Sequence, residues 1–325
     1  MGSKDNFHYE YFSSVRQRKV EWLWYPYIPY GKITILQGDP GEGKSTFILN
    51  IAALLSKGKN MPDGYPVPSP QCVVYQTAED NIADTVKPRL VSAGADCNKI
   101  AYIVDDEATL NLDDPRIEKI IQNTKAKLFI LDPLQAYLSQ DSDLLSARRM
   151  RQKLKRIADI AAKYKCAIVI IGHMNKSSGE KNIYRGLGSI DITAIARSVL
   201  MIIRDQTDSS KRYMLPTKSS LAPEGDSITF RFDKNRGLIW IGKSNFTIND
   251  QENYRTKENK FTLAKRLIFE MLEYGDLPSK DILHKLKLAG ISERTANEAK
   301  SEIQVASYRK NGLWYWKLPQ QSERQ

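Results

Sequence analysis

The sequence has little of what builds a stapled or membrane-anchored protein. Three of its 325 residues are cysteines (Cys72, Cys97 and Cys166), an odd number with no CxxC pair. That makes a disulfide scaffold and a zinc ribbon poor fits and points to a reducing compartment. The three histidines, His8, His173 and His284, are too scattered to hold zinc. No apolar run approaches the length of a membrane span, and the opening MGSKDNFHYEYFSSVRQRK carries no apolar leader core. The expectation is a soluble, cytoplasmic protein with no membrane partner. Acidic residues are in deficit, 38 against 49 Lys and Arg, for a net charge of +11. A cationic excess of this size suits a polyanionic partner, although charge alone is equally compatible with a basic soluble surface. The 41% hydrophobic and 27% charged residues are an ordinary globular balance, and the length suits two domains. No repeat of solenoid period is present.

Residues 1–30 form an aromatic, basic lead-in that ends in VEWLWYPYIPYGK. Trp22, Trp24, Tyr25 and Tyr27 could stack bases, but a strand packed on a domain edge is the expected role. From Lys32 the pattern repeats strand, loop and helix: KITILQ, STFILNIAALLSKG, CVVYQTAED, KIAYIVDD, KLFILD, CAIVIIGH and SVLMIIRD. These strands are continuously apolar rather than alternating, as in a parallel sheet covered on both faces. Segments such as DLLSARRMRQKLKRIADIAAKYK supply helical crossovers. RYMLPTK, SITFRFDK and RGLIWIGK predict an antiparallel addition. The expected domains are therefore an α/β core over 31–245, a polar linker over 246–260, and a helical module over 261–320.

The strongest signal is GDPGEGKST at 38–46, which fits GxxxxGK[ST] and sits between a strand and a helix. Its residues Gly38, Asp39, Pro40, Gly41, Glu42, Gly43, Lys44, Ser45 and Thr46 form a loop whose backbone N–H groups curl around phosphates at a helix N-terminus. Lys44 is placed to neutralise β- and γ-phosphates and Ser45 to ligate Mg²⁺. The implied cofactors are ATP and Mg²⁺. A metal-holding carboxylate is expected at a neighbouring strand end, where KLFILD offers Asp132. A group to orient and deprotonate water is expected at the end of CVVYQTAED, where Glu79 and Asp80 compete.

An acid at the end of the strand that follows the phosphate-loop helix resembles the RecA-like P-loop NTPases. That resemblance assigns the catalytic carboxylate to Glu79. IVIIGHMNKSSGEKNIYRGLGS, running into SVLMIIRD, resembles RepA-type hexameric replicative helicases and, more distantly, DnaB-type helicases. The resemblance implies that His173 senses the γ-phosphate. It also implies that the loop with Lys181 and Arg185 lines a channel for single-stranded DNA, and that the protein is a homo-hexamer. Basic, glycine-rich loops with a tyrosine suit such a strand independently. Hexameric members complete each site with a cation from the neighbouring subunit, since developing charge needs one. Arg204 and Lys218 are the candidates, although a Lys-x-Arg pattern found in DnaB-type proteins is here Lys218 followed by Ser220.

FTLAKRLIFEMLEYG, LPSKDILHKLKLAG and GISERTANEAKSEI predict three helices, the last N-capped by Ser292. ASYRKNGLWYWKL predicts a hairpin turning at Asn311-Gly312. Together they make a winged-helix plan, with Arg294, Asn297 and Lys300 on the third helix and Arg309 and Lys310 on the wing as DNA contacts. Residues 255–325 hold 14 Lys and Arg against 9 Asp and Glu. Glu293, Glu298 and Glu302 on the same helix would repel phosphates, and protein docking is the competing role for this module. Three function classes stay open: an ATP-driven DNA helicase or translocase of a plasmid, phage or integrative element; an ATP-dependent recombination mediator; and a DNA-bound regulator switched by ATP.

Overall fold

A computed structural model describes residues 9–104, 110–138, 147–173, 190–205, 207–273, 275–310 and 312–318. A short antiparallel pair, β1 (Trp22–Trp24) and β2 (Ile28–Pro29), leads into the core. Nine strands then form one sheet: β3 (Ile33–Gly38), β4 (Val73–Thr77), β5 (Ile100–Ala101), β6 (Leu128–Asp132), β7 (Ala167–His173), β8 (Ser198–Arg204), β9 (Lys211–Ser219), β10 (Ser227–Asp233) and β11 (Gly237–Ser244). Their order is β11-β10-β9-β8-β3-β7-β6-β4-β5. Strands β8, β3, β7, β6, β4 and β5 run parallel, and β9, β10 and β11 extend the sheet antiparallel from β8. This is the α/β core, with a mostly parallel sheet, that the strand pattern predicts.

The apolar runs are continuous because both faces are covered. Leu36 and Ile130 face one layer with Phe47, Ile48 and Ile51 of α1 (Lys44–Lys57). Ile35 and Phe129 face the other, with Ile117 and Ile121 of α3 (Pro115–Thr124) and Leu154 and Ile157 of α4 (Ala147–Tyr164). Between α1 and α3 lies a short helix, α2 (Lys87–Ser92). α3 starts where Asp114 accepts from the Arg116 backbone N–H at 2.8 Å, with Pro115 in the first turn. The lead-in aromatics belong to the core: Trp24 and Tyr27 are buried, and Trp24 Nε1 donates to Asp63 Oδ1 at 2.9 Å. Tyr25 stays exposed, edge-on to Trp22. KIAYIVDD yields a strand of two residues, β5, because pairing stops after Ala101 at the sheet edge.

The chain divides into two compact units, Met1–Phe246 and Thr247–Gln325. The second unit corrects the linker expected over 246–260: α6 runs from Ile248 to Leu272 through that stretch. Its start is set by chemistry rather than apolar period. The Thr247 backbone N–H donates to Asp250 Oδ2 at 2.8 Å, and the Asp250 N–H donates back to Thr247 Oγ1 at 3.3 Å, a closed capping box. Then come β12 (Leu277–Pro278), α7 (Ser279–Leu288), α8 (Glu293–Glu302), β13 (Ala306–Lys310) and β14 (Leu313–Lys317). Strand β14 lies between β12 and β13. Ile268, Ile282, Leu286, Ala296, Val305 and Trp316 form this unit's own core. Upstream, α5 (Ile190–Ile195) precedes β8. No described helix is long and apolar enough to cross a membrane.

Candidate functional site

The phosphate loop links the C-terminal end of β3 to the N-terminus of α1, at the edge where ligands gather in open α/β sheets. Two glycines are required by space. A Cβ on Gly38 would lie 2.5 Å from the Ile202 carbonyl oxygen of β8, and one on Gly43 would lie 2.4 Å from Cζ of Phe232. Gly43 also sits at φ +88°, in the left-handed region. Lys44 is buried and its Nζ donates to the carbonyls of Gly38 (2.8 Å) and Asp39 (2.9 Å). Burial lowers its pKa, with Asp132, Asp39, Glu42 and Glu79 pulling the other way. Thr46 follows in the first turn, its carbonyl accepting from Asn50 Nδ2 at 2.9 Å.

Asp132 ends β6 and is buried; the Tyr75 hydroxyl of β4 donates to its Oδ2 at 2.6 Å. Its carboxyl is held above the usual range, chiefly by burial. Hydrogen bonds from Tyr75 and Ser45 work against that, while Asp80 and Glu79 add to it. A serine hydroxyl beside a carboxylate is a hard-oxygen donor set that fits Mg²⁺. Glu79 and Asp80 follow β4, with both backbone N–H groups on Thr77 Oγ1 at 3.3 Å. The two acids differ in their surroundings: Arg89 of α2 pairs with Asp80 at 2.7 Å, whereas Glu79 is the more exposed.

The cationic candidates separate. Arg204, at the end of β8, lies on its own chain's phosphate loop: Nη2 donates to the Gly41 carbonyl at 3.3 Å and Nε is 3.5 Å from Glu42 Oε2. Lys218 of β9 donates to the carbonyls of Thr193 (2.7 Å) and Ala196 (2.9 Å), capping the C-terminus of α5. Arg204 and Lys218, the candidates for reaching a neighbouring subunit, both hold contacts within their own chain. A half-buried ammonium finds stronger partners in unpaired helix carbonyls, and Arg204 finds one in the loop's carboxylate. His173 is the last residue of β7, paired in register with Gly38. Lys181 and Arg185 lie outside the described residues.

In the second unit, Arg294 is exposed and pairs with Glu298 at 2.9 Å. Lys300 donates to Ser307 Oγ at 2.5 Å and lies over the Trp316 ring. Arg309 and Lys310 are exposed on β13, and across from them Trp314 and Leu313 are exposed on β14. Ser292 caps α8, accepting from Thr295 N–H at 3.2 Å. Asn311 lies outside the described residues.

Sequence reading missed three contributors: Tyr75, Arg212 and Phe232. A tyrosine inside an apolar strand two residues before Thr77 gave a weak signal. For Arg212 the signal was Glu42 itself, since an acid inside an anion-binding loop requires a counter-cation. Arg212 of β9 is buried, with Nε 3.2 Å from Glu42 Oε2.

Residues 9–179 match the AAA domain family. Among curated relatives, the DNA repair protein RadA of Streptococcus pyogenes serotype M3 (strain ATCC BAA-595 / MGAS315) is 28% identical over 149 residues, 45% of this chain. RadA of Streptococcus pyogenes serotype M1 matches to the same extent. The chain spans 28% of the length of these relatives. Among solved structures, the KaiC-like protein PH0186 from Pyrococcus horikoshii OT3 aligns with a TM-score of 0.48 and 18% identity, over 70% of this chain and 99% of that one.

Proposed function

Since the chain belongs to the AAA domain family, we propose that it binds and hydrolyses MgATP at the loop 38–46 and couples hydrolysis to DNA, as a RepA-like helicase or translocase working as a hexamer. The observation that supports the MgATP part of this reading is the convergence of Lys44, Ser45, Asp132 and Glu79 at the strand ends around the phosphate loop, and the net charge of +11 suits the DNA part.

Each group has a distinct task. Backbone N–H groups of the loop and the α1 N-terminus hold the phosphates, and Lys44 leaves the Gly38 and Asp39 carbonyls to reach the β- and γ-oxygens. Ser45 and Asp132 would hold Mg²⁺, whose charge offsets that of the β- and γ-phosphates. Tyr75 fixes the Asp132 carboxylate through its 2.6 Å hydrogen bond. Glu79 takes the proton of the attacking water; Asp80, tied to Arg89, is the weaker base candidate. His173, beside Gly38 in register, is suited to report the γ-phosphate to the loop carrying Lys181 and Arg185, which would grip single-stranded DNA. The second unit, read as a winged helix, would add duplex contacts through Arg294, Arg309 and Lys310, while Lys300 serves the unit's own packing.

A second reading has its own support. The RadA relatives are named for DNA repair, which favours a recombination mediator that loads on DNA without translocating. Forked substrates distinguish the two: ATP-dependent strand separation supports the motor, and ATP-dependent binding without separation supports the mediator. Slow turnover indifferent to single strands would favour a regulator switched by ATP.

A further inference from the structure

Glu42 places a carboxylate inside a loop that must attract triphosphate, and an unneutralised negative charge there would repel the ligand. The fold answers with two arginines from adjacent antiparallel strands. Arg212 Nε is 3.2 Å and Arg204 Nε 3.5 Å from the same Glu42 oxygen. Arg212 and Glu42 are the enclosed pair, with side chains 5% and 15% exposed, while Arg204 is 45% exposed.

Arg212 is held from every side. Its Nη1 donates to the carbonyls of Ser209 (2.6 Å) and Lys211 (2.9 Å), and its guanidinium lies 5.5 Å from the Phe232 ring centre. Phe232 in turn occupies the space that Gly43 leaves open. Burial and the nearby Arg204 lower the Arg212 pKa, and Glu42 offsets them. The Nε–Oε2 contact lacks hydrogen-bond geometry, so charge rather than direction holds it. Two cations facing one anion leave a positive excess beside the loop, and the more exposed member, Arg204, carries it.

We propose that Glu42 and Arg212 form a charge clamp that sets the shape of the phosphate loop, with Arg212 as a positioning residue and Arg204 as the outer, more exposed partner of the same carboxylate. The clamp rests on the nucleotide-binding reading above. It acts through the neutralised carboxylate rather than through contact of Arg212 with phosphate.

The test uses the full chain and binding of a fluorescent ADP analogue, with thermal melting as a check on folding. Arg212→Met removes the enclosed partner and leaves Glu42 to the more distant, 45% exposed Arg204 alone, and affinity is expected to fall about tenfold. Glu42→Gln with Arg212→Met removes both charges and is expected to restore affinity to within about threefold of the parent. Arg212→Lys restores charge without the planar fork and is expected to bind at an intermediate level. Equal weakness of Arg212→Met and the double variant would overturn the clamp, because the Glu42 charge would then not be the cause of the loss. Unchanged binding by Arg212→Met would overturn it as well. If Arg212→Met fails to fold, a folded and binding double variant supports the clamp and an unfolded one overturns it. A parent protein that binds no analogue defeats the nucleotide reading first, and the clamp with it.

Discussion

Lys44 donates to two loop carbonyls that a phosphate would replace, so its ammonium is already aimed at the ligand. Lys44→Ala is expected to reduce hydrolysis at least about a hundredfold, since a charge-stabilising donor is lost in a shielded site; steady-state phosphate release measures this. Asp132 makes a subtler prediction. Burial holds its carboxyl above the ordinary range, so the folded chain keeps that proton more tightly than the unfolded chain does. Its contribution to stability is therefore fully present below the ordinary carboxyl pKa of the unfolded chain and is lost as pH rises through the raised folded pKa. Asp132→Asn is expected to melt a few degrees higher than the parent near neutral pH, with the gap closing in acid, while hydrolysis is lost. Equal melting temperatures across the pH series would contradict that burial governs this group. At this scale the neighbourhood of Lys44, Ser45 and Asp132 was legible in the sequence, because each ends or opens an element marked by a short pattern. Arg212 and Phe232 were hidden because they come to the loop from strands far along the chain.

The elements show why some assignments were legible and others were not. Continuous apolar strands revealed a sheet covered on both faces, and RYMLPTK, SITFRFDK and RGLIWIGK became β9, β10 and β11. KIAYIVDD misled because an apolar run does not reveal where pairing ends. The 246–260 stretch misled because the start of α6 is written in Thr247 and Asp250 rather than in apolar spacing. Arg204 and Lys218 were read by resemblance, and pattern alone does not show their contacts within the chain, to the loop from β8 and to α5 from β9. The β3–β8 contact is itself testable. Gly38→Ala places a Cβ 2.5 Å from the Ile202 carbonyl, where backbone must move. It is expected to cost about 1–3 kcal/mol of stability and to weaken nucleotide binding, as read by denaturant melts and analogue titration. A neutral outcome would show that β3 and β8 can separate without consequence.

For the whole molecule, a net charge of +11 and a second unit with its own core fit an ATPase that handles nucleic acid. Arg309→Ala combined with Lys310→Ala is expected to weaken duplex binding and to reduce the slope of log affinity against log salt by about two. An unchanged slope would move the second unit from DNA contact to protein docking. The central claim, that ATP hydrolysis is coupled to DNA, is reached most directly by steady-state hydrolysis measured without DNA, with single-stranded DNA and with duplex, using Lys44→Ala as the blank. Strong stimulation by single strands, absent in Lys44→Ala, is the expected result. Slow turnover unaffected by single strands would contradict it.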